Sequence, residues 1–417
     1  MPMRRDDSPL YGWQIMVAAV VGSALSPATL VNVPFSLFVT ELQRTFGWSR
    51  SAVTAGQSVF LALLVVSLPM AGKLVDRAGA RRVAIPSIVL YGTALASLSL
   101  LHGSPSQYYL MYGLIAVLGA GAQSLTFIRV ISAWFDRQRG LVIGICMAGF
   151  GLGYAIVPLI TQALIARWGW RCAYAGLGAL ALAGPLPVMV LLLHDAPPQS
   201  GPQVSRRPST SEAASAEAHG HGSTLAQAAR SLDLWLLAAS FLLMSFALNS
   251  VQSQIVPLLT DRGMAAGTAA LMLSAIGVGS FPGRLIIGFT MDRLFAPWVA
   301  LGCYAAATIA VIGLLDHPAA SAVFACAVAV GIGLGAENDV LGYLAGRYFG
   351  LRSLGQIYGA LLSVYLVGAA LGAYVSARIH DATGSYDGAL RLDTLAMLAA
   401  SGLLLPLRRY DRGESTP

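Results

Sequence analysis

The sequence predicts an all-α membrane protein whose twelve transmembrane helices form two six-helix bundles. Of its 417 residues, 56% are hydrophobic and only 11% are charged, and the mean hydropathy is +0.68. A soluble domain carries about 25% charged residues, so this chain has too few charges to cover a water-exposed surface. In addition, apolar runs close to the roughly 20 residues that span a bilayer recur along the chain. We therefore expect most of the exterior to face lipid.

One long polar segment sets the predicted domain organisation. Residues 194–230 are rich in Pro, Ser, Ala and His and have no apolar period, so we expect a cytoplasmic linker. It would separate an N-terminal six-helix bundle, residues 1–193, from a C-terminal six-helix bundle, residues 231–417. The twelve apolar runs cover residues 13–40, 52–72, 83–101, 107–133, 140–164, 172–193, 233–259, 268–290, 297–315, 319–345, 354–377 and 389–407.

The basic residues predict the orientation of these helices. Loops on the side of both termini hold 17 of the 26 Lys and Arg residues, and the opposite loops hold seven. Because cytoplasmic loops carry the excess of basic residues, we expect a multi-pass protein with both termini in the cytoplasm. Arginine far outnumbers lysine, which is typical of GC-rich bacterial genomes, so the expected location is a bacterial inner membrane.

Several functions are disfavoured by the composition. The net charge of +7 is dispersed in short clusters between apolar runs, so we do not expect nucleic-acid binding. The four cysteines show no C-x-x-C or Cys/His spacing, which argues against a disulfide framework and against a metal site such as a zinc site. No nucleophile–base constellation stands out, so the chain is not expected to be an enzyme.

Two sequence echoes predict a parallel repeat of six helices. The pattern G-x-x-x-D-R follows the second run and, 216 residues later, the eighth. Trp134 and Phe135 after the fourth run correspond to Tyr348 and Phe349 after the tenth. We interpret G-x-x-x-D-R as a gating motif rather than a substrate site, because its glycine allows close helix contact and its aspartate accepts N–H donors. The motif residues are Gly72, Asp76, Arg77, Gly288, Asp292 and Arg293.

These motifs resemble those of a known family. The segment GKLVDRAGARR at 72–82 is similar to the signature between helices 2 and 3 of the major facilitator superfamily, and GFTMDR at 288–293 repeats its core. FGWSRSAVTAGQSV at 46–59, WFDRQRGLVIGICMAGFGLG at 134–153 and RYFGLRSLGQIYG at 347–359 resemble the branch of monocarboxylate transporters and oxalate/formate antiporters. The resemblance implies the major facilitator fold and transport of an organic anion by alternating access.

An arginine within the eighth run is the leading candidate for the substrate site. Arg284 lies eight residues before Asp292, which is about 12 Å further into the membrane at 1.5 Å per residue. Placing an ionisable group at that depth in the membrane costs free energy, so we treat such a residue as a candidate functional residue. The resemblance implies that an arginine at this place binds the substrate carboxylate, to which its planar guanidinium offers two parallel donors. The alternative is an arginine that only pairs with an acid of the tenth run.

Two acids of the tenth run, Glu337 and Asp339, are the candidates for proton coupling. They are two residues apart, so on a helix their side chains point about 200° from one another and at most one faces the centre squarely. The alternative is an ion pair with Arg129 of the fourth run, which would keep both groups from being buried without a partner. Arg129 is five residues before Trp134, so it forms either a gating salt bridge or a second anion contact.

Polar side chains on other runs complete the candidate binding site. Each could hydrogen-bond an anion or could hold two helices together; they are Asn32, Gln123, Tyr154, Asn249, Gln252 and Tyr358. The animal monocarboxylate transporters carry a lysine after a proline in helix 1 and an aspartate one turn before the arginine of helix 8, where this chain has Phe35 and Ser280. Either the acids of the tenth run carry the coupled proton, or one anion is exchanged for another without a proton.

The expected function is therefore secondary active transport of a small, monocarboxylate-like organic anion. Two bundles would rock about a central site and expose it to one side of the membrane and then to the other. We expect proton-coupled symport by a monomer in the lipid bilayer, without a cofactor. Alternatives with the same fold are an anion exchanger and an exporter of a larger aromatic or amphipathic acid. A membrane sensor that transports nothing is a third reading, although no sizeable signalling domain accompanies the helices.

Overall fold

A computed structural model describes residues 9–123, 126–127, 130, 139–193, 223–291, 293–316, 319–350 and 353–407. The regular elements of these residues are all helical, which confirms the predicted all-α class. Three of them are not α-helical: a π-helical turn at Ala28–Asn32 and 3₁₀ turns at Leu98–Leu100 and Ala120–Ala122. The α-helices are α1 (Pro9–Ala24), α2 (Phe35–Phe46), α3 (Arg50–Ala78), α4 (Ala80–Ser97), α5 (Pro105–Gly119), α6 (Arg139–Ala183), α7 (Pro185–Leu192), α8 (Leu225–Ala228), α9 (Leu232–Asp261), α10 (Ala266–Met291), α11 (Ala296–Leu315), α12 (Ala320–Phe349), α13 (Leu354–Thr383) and α14 (Asp387–Leu404).

Nine stretches of the described residues are long and apolar enough to cross a membrane. One of them, Gly149–Leu192, is 44 residues long and overlaps both the fifth and the sixth predicted runs. Its helix α6 is interrupted at Gly169, whose φ of 80° lies in the left-handed region that glycine tolerates. Large apolar side chains such as Trp235 and Ile309 are exposed, as a lipid-facing surface requires. The count of twelve spans remains a prediction.

The first predicted run is not one helix. It is split into α1 and α2 by the π-helical turn at Ala28–Asn32, which Pro27 precedes and Pro34 follows. Proline has no N–H to donate, so a helix cannot continue through it with all its hydrogen bonds. The split places Asn32, a candidate site residue, at the end of the turn.

The predicted linker is only partly described. Residues 194–222 lie outside the described residues. The last part of the segment forms the short helix α8, which we did not expect from its composition. Thr224 and Gln227 make a reciprocal capping box at its start, and the backbone N–H of Ser223 donates to the carbonyl of Phe349 at 2.8 Å. The division into residues 1–193 and 231–417 stays a prediction.

Glycines allow equivalent helix pairs to touch in both parts of the chain. In each case a Cβ at the glycine would overlap a backbone carbonyl of the facing helix, so only glycine permits the approach. The glycines and the facing residues are Gly149 with Val20, Gly153 with Ala24, Gly368 with Leu242 and Gly372 with Phe246. The first two join α6 to α1 and the last two join α13 to α9. The glycines are offset by 219 residues, close to the 216 of the gating motif, which favours a parallel repeat.

Helices α3 and α6 pack against later helices of the chain. Helix α3 packs against α13, where the Ser58 hydroxyl donates to the carbonyl of Ala370 at 2.8 Å. Helix α6 packs against α10, where Gly277 lies directly on the backbone of Tyr154. Tyr154 is thereby held beside α10, the helix that carries Arg284.

Candidate functional site

Close contact between α10 and α12 positions the charged candidates. Four glycines of the two helices each lie on the backbone of the opposite helix; they are Gly279, Gly283, Gly331 and Gly335. Because their side chains are absent, the two backbones approach closely. Arg284 follows directly after one of these glycines, and Asp339 lies one helical turn after another. The register of the two helices therefore sets the distance between the two charges.

Arg284 and Asp339 form an ion pair in this structure. The Nη1 atom of Arg284 is 3.7 Å from Oδ1 of Asp339, and their side chains are 21% and 36% exposed. The separation is longer than the 2.7–2.9 Å typical of a charge-assisted hydrogen bond, so the guanidinium still has donors for another anion. Both side chains also keep some surface that a water molecule can reach.

Glu337 occupies a different environment from Asp339. Its side chain is fully buried, and neither carboxylate oxygen has a hydrogen-bond partner among the described residues. The phenols of Tyr304 on α11 and Tyr365 on α13 are within electrostatic reach of it. The two acids of α12 thus face different neighbours, as their spacing on a helix requires.

Four of the six predicted polar residues lie near Arg284, either directly or through Tyr154. The phenol of Tyr154 is adjacent to the side-chain amides of Asn32 and Gln252 and within electrostatic reach of the guanidinium. Tyr358 on α13 is within reach of both Arg284 and Asp339. Helices distant in sequence therefore contribute to one group of polar side chains. We call it the Arg284 cluster; of the predicted residues it contains Arg284, Asp339, Asn32, Tyr154, Gln252 and Tyr358.

The other two predicted polar residues are Asn249 and Gln123. Asn249 on α9 donates from Nδ2 to the carbonyl of Ser245 at 3.0 Å and is adjacent to the phenol of Tyr365. Gln123 directly follows the 3₁₀ turn that ends at Ala122. It is buried, and its Nε2 has no partner in the described part of the chain.

Sequence analysis missed two members of the cluster. Gln57 on α3 donates from Nε2 to Oδ1 of Asn32, and Tyr365 on α13 links Asn249 to the surroundings of Glu337. An amide within the second apolar run was a usable signal for Gln57. Tyrosine is common in apolar runs, so the sequence offered no comparable signal for Tyr365.

Two buried amide atoms of the cluster have no partner within the described residues. They are Oε1 of Gln57 and Nε2 of Gln252. Buried polar groups in native proteins are nearly always hydrogen-bonded to protein or ordered water. Such atoms are suited to bind water or a polar ligand at this place.

A third intramembrane acid, Asp393 on α14, was also missed. It is 2% exposed and accepts a hydrogen bond from the Ser250 hydroxyl of α9 at 2.7 Å. An aspartate within the twelfth run was visible in the sequence. Its contact joins two helices, and no described contact connects it to Arg284.

The gating motif is described only in part. Gly72 is buried on α3, and Arg77 is exposed in the last turn of the same helix. Gly288 lies in α10, and Arg293 places its guanidinium 3.7 Å from the ring centroid of Phe289. Arg129, Asp292 and the side chain of Asp76 lie outside what the structure describes.

The end of the helices opposite to the gating motif carries a polar network that the sequence did not predict. We call it the Arg50 latch, after the residue at the start of α3. Its members are Arg50, Gln43, Thr54, Gln254, Asp261, His380, Asp381 and Tyr386. The guanidinium of Arg50 is 2.6 Å from a carboxylate oxygen of Asp261 at the end of α9. It also donates to the Tyr386 hydroxyl at 2.6 Å and to Oε1 of Gln43 at 2.9 Å.

A second acid of the Arg50 latch caps the start of α3. The carboxylate of Asp381 accepts from the backbone N–H groups of Arg50 and Ser51 at 3.0 and 2.9 Å. The first N–H groups of a helix have no partner within the helix and favour an anion. The end of α13 thereby closes onto the start of α3.

The remaining contacts extend the Arg50 latch inward. Gln254 of α9 donates to the Thr54 hydroxyl of α3 at 3.1 Å, and its Oε1 accepts from Tyr386 at 3.0 Å. Burial raises the pKa of Tyr386, which keeps the phenol neutral and able to donate. His380 also lies 3.4 Å from Asp261. Charges at helix ends are ordinarily solvated, so these residues carried no signal in the sequence.

Comparison with known proteins supplies the family. The family model described as Major Facilitator Superfamily matches residues 19–373. Monocarboxylate transporter 11 of Homo sapiens is 25% identical, with 96% of this chain and 83% of that protein aligned. Monocarboxylate transporter 13 of Bos taurus is 26% identical, with 96% of this chain and 90% of that protein aligned. The uncharacterized MFS-type transporter YhjX of Escherichia coli is 25% identical over 84% of each chain.

A solved structure shows the same fold. It is a bacterial homolog of the human lysosomal transporter Spinster in an inward-facing and unoccupied conformation, and it superimposes with a TM-score of 0.69 at 16% identity. The alignment covers 95% of this chain and 97% of that chain. The family resemblance read from the motifs is thus confirmed. This multi-pass membrane protein belongs to the Major Facilitator Superfamily and is related to monocarboxylate transporters.

Proposed function

We propose that the protein is a proton-coupled symporter of a small organic anion in a bacterial inner membrane, with both termini in the cytoplasm. It acts as a monomer within the lipid bilayer, without a cofactor and without nucleic acid. The observation that supports this function best is the Arg284 cluster: an intramembrane guanidinium with a long, partly exposed ion pair, surrounded by polar side chains.

The chemistry of the cluster favours a carboxylate. A guanidinium binds a carboxylate through two parallel N–H donors, and the pairing is stronger in a low-dielectric interior than in water. The phenol of Tyr154 is suited to bind the rest of the molecule, and so is Nε2 of Gln252, which has no hydrogen-bond partner among the described residues. Several relatives carry the name monocarboxylate transporter, which supports the same class of cargo.

The contacts that close one end of the molecule support alternating access. The Arg50 latch closes the end that the basic residues predict to be non-cytoplasmic. Opening the central site to that side requires these contacts to separate, while α3 and α13, and α6 and α10, slide past one another. We propose that the closed latch represents the state in which the site communicates with the cytoplasm.

Proton coupling is proposed to use an acid of α12. Phe35 and Ser280 replace the lysine and the aspartate of the animal relatives, so the ionisable groups of α12 are the remaining candidates near Arg284. A carboxylate that leaves Arg284 when the substrate arrives can take up a proton instead. The anion and the proton would then move together.

Uptake into proteoliposomes tests this function. Purified protein is assayed with labelled pyruvate, lactate and benzoate, with and without an inward proton gradient. We expect accumulation of at least one acid that depends on the gradient. Arg284→Gln should weaken its binding by roughly 10- to 100-fold, because a hydrogen bond to a charged group contributes about 1.5–3 kcal/mol.

Arg391→Gln is the matched control. It removes an exposed arginine of α14 and should leave uptake unchanged. Normal affinity in Arg284→Gln would refute the proposed site. Transport by exchange that ignores the proton gradient would favour the anion exchanger instead.

A further inference from the structure

The two acids of α12 differ in what the structure allows them to do. Asp339 is 36% exposed and 3.7 Å from Arg284. Glu337 is fully buried, without a hydrogen-bond partner among the described residues. Because they are two residues apart, a substrate at Arg284 can compete with Asp339 but does not meet Glu337 on the same face.

We infer that Asp339, and not Glu337, is the acid that takes up and releases the coupled proton, by competing with the substrate carboxylate for Arg284. This assignment rests on the proposed function above. In the empty site Asp339 is the counter-ion of Arg284. When a carboxylate displaces it, Asp339 loses its favourable charge partner and binds a proton.

The surroundings of Asp339 support this exchange. From α10 it faces Arg284, and from α13 it faces the phenol of Tyr358; α9 and α11 present no charged group to it among the described residues. Arg284 is therefore the described charge that favours the ionised form of Asp339. Partial exposure lets water deliver and remove the proton.

The net charge of the empty and of the occupied site favours the same scheme. Arg284 and Asp339 together carry no net charge in the empty site. An arriving anion adds one negative charge, and a proton on Asp339 removes it. A net charge in a low-dielectric interior is costly, so the occupied site moves most easily with the anion and the proton together.

The surroundings of Glu337 argue against a coupling role. Tyr304 of α11 and Tyr365 of α13 are the titratable groups near it, and no charged side chain in the described chain acts on it. An ionised carboxylate without a partner is strongly disfavoured in such a place. We therefore expect Glu337 to stay protonated, with no counter-ion that the substrate could displace.

The experiment compares Asp339→Asn with Glu337→Gln, using the acid that wild-type protein accumulates from the panel above. Asp339→Asn should lower accumulation driven by the proton gradient by about tenfold or more, while substrate exchange continues. Its substrate binding, measured by isothermal calorimetry between pH 5 and 8, should lose the pH dependence of wild type. Glu337→Gln should keep gradient-driven accumulation and the pH dependence of wild type.

Asp339→Glu keeps a carboxylate within reach of Arg284 and should keep coupling, which separates loss of the acid from misfolding. The assignment is overturned if Glu337→Gln abolishes gradient-driven accumulation, or if Asp339→Asn retains it. Wild-type uptake that does not respond to pH would also overturn it, while leaving the anion site intact. By contrast, normal binding in Arg284→Gln would refute the proposed function itself.

Discussion

The guanidinium of Arg50, at the start of α3, lies 2.6 Å from the carboxylate of Asp261, at the end of α9. The two residues are 211 positions apart in the chain, so their contact joins the earlier helices to the later ones. Arg50 is almost fully buried, whereas Asp261 is partly exposed. The pair is the centre of the Arg50 latch and has to separate when that end opens.

Removing either charge should loosen the closed state. Arg50→Gln and Asp261→Asn are each expected to destabilise it by about 1 kcal/mol, a value reduced for the exposure of Asp261. The melting temperature of the purified protein should fall by a few degrees. The double variant should lose less stability than the sum of the losses in the two single variants, because the effects of substitutions within one network are not additive.

Strict additivity in that cycle would show that the two residues do not interact. Arg81→Gln is the control, because Arg81 donates to the carbonyl of Val190 and lies just beyond the other end of α3, far from Arg50. Its effect should add independently to that of Asp261→Asn.

Asp381→Asn should expose the start of α3. The carboxylate accepts from the N–H groups of Arg50 and Ser51, and loss of a helix cap costs about 1 kcal/mol. Hydrogen–deuterium exchange of a peptide containing residues 50 and 51 should therefore become about fivefold faster. Asp387→Asn should leave that peptide unchanged; equal protection in Asp381→Asn would contradict the capping role.

Gly335→Ala should disturb the site without touching a charged residue. An added methyl group at Gly335 would overlap the carbonyl of Ser280, and overpacking of this kind costs about 1–3 kcal/mol. Because the contact sets the register of α10 and α12, the distance between Arg284 and Asp339 should change. We expect a lower melting temperature and reduced carboxylate uptake.

Gly402→Ala provides the matched comparison, because nothing lies within 4 Å of a Cβ at that helical glycine. It should be neutral or slightly stabilising, since alanine restricts the unfolded chain. Equal behaviour of the two variants would argue against close packing at Gly335.

Tyr154→Phe should weaken substrate binding. The phenol lies beside Asn32 and Gln252 and within reach of Arg284. Losing a hydrogen bond of about 1 kcal/mol should raise the dissociation constant about fivefold. Calorimetric titration with the transported acid measures this change. Tyr374→Phe, on a partly exposed tyrosine of α13, is the control, and equal affinity in both variants would remove Tyr154 from the site.

The helical class and most of the Arg284 cluster were predictable from the sequence. A bilayer imposes a local rule, about 20 apolar residues for each crossing, and the same rule makes each intramembrane charge conspicuous. Arg284, Glu337 and Asp339 stood out for this reason. The split at Ala28–Asn32 was also visible in principle, because prolines flank it.

Which of these side chains contact each other could not be predicted in the same way. The spacing of Glu337 and Asp339 shows that they face different directions, but not which of them meets Arg284. The Arg50 latch was equally hidden, because charges at the ends of apolar runs look alike whether water or another helix surrounds them.

Membrane-crossing segments and the polar residues within them thus follow from local composition, since lipid acts on each segment separately. Which of those residues touch depends on how helices from distant parts of the chain pack. Glycine contacts such as Gly335 with Ser280 set that packing, and with it the pairing of Arg284 with Asp339 and of Arg50 with Asp261.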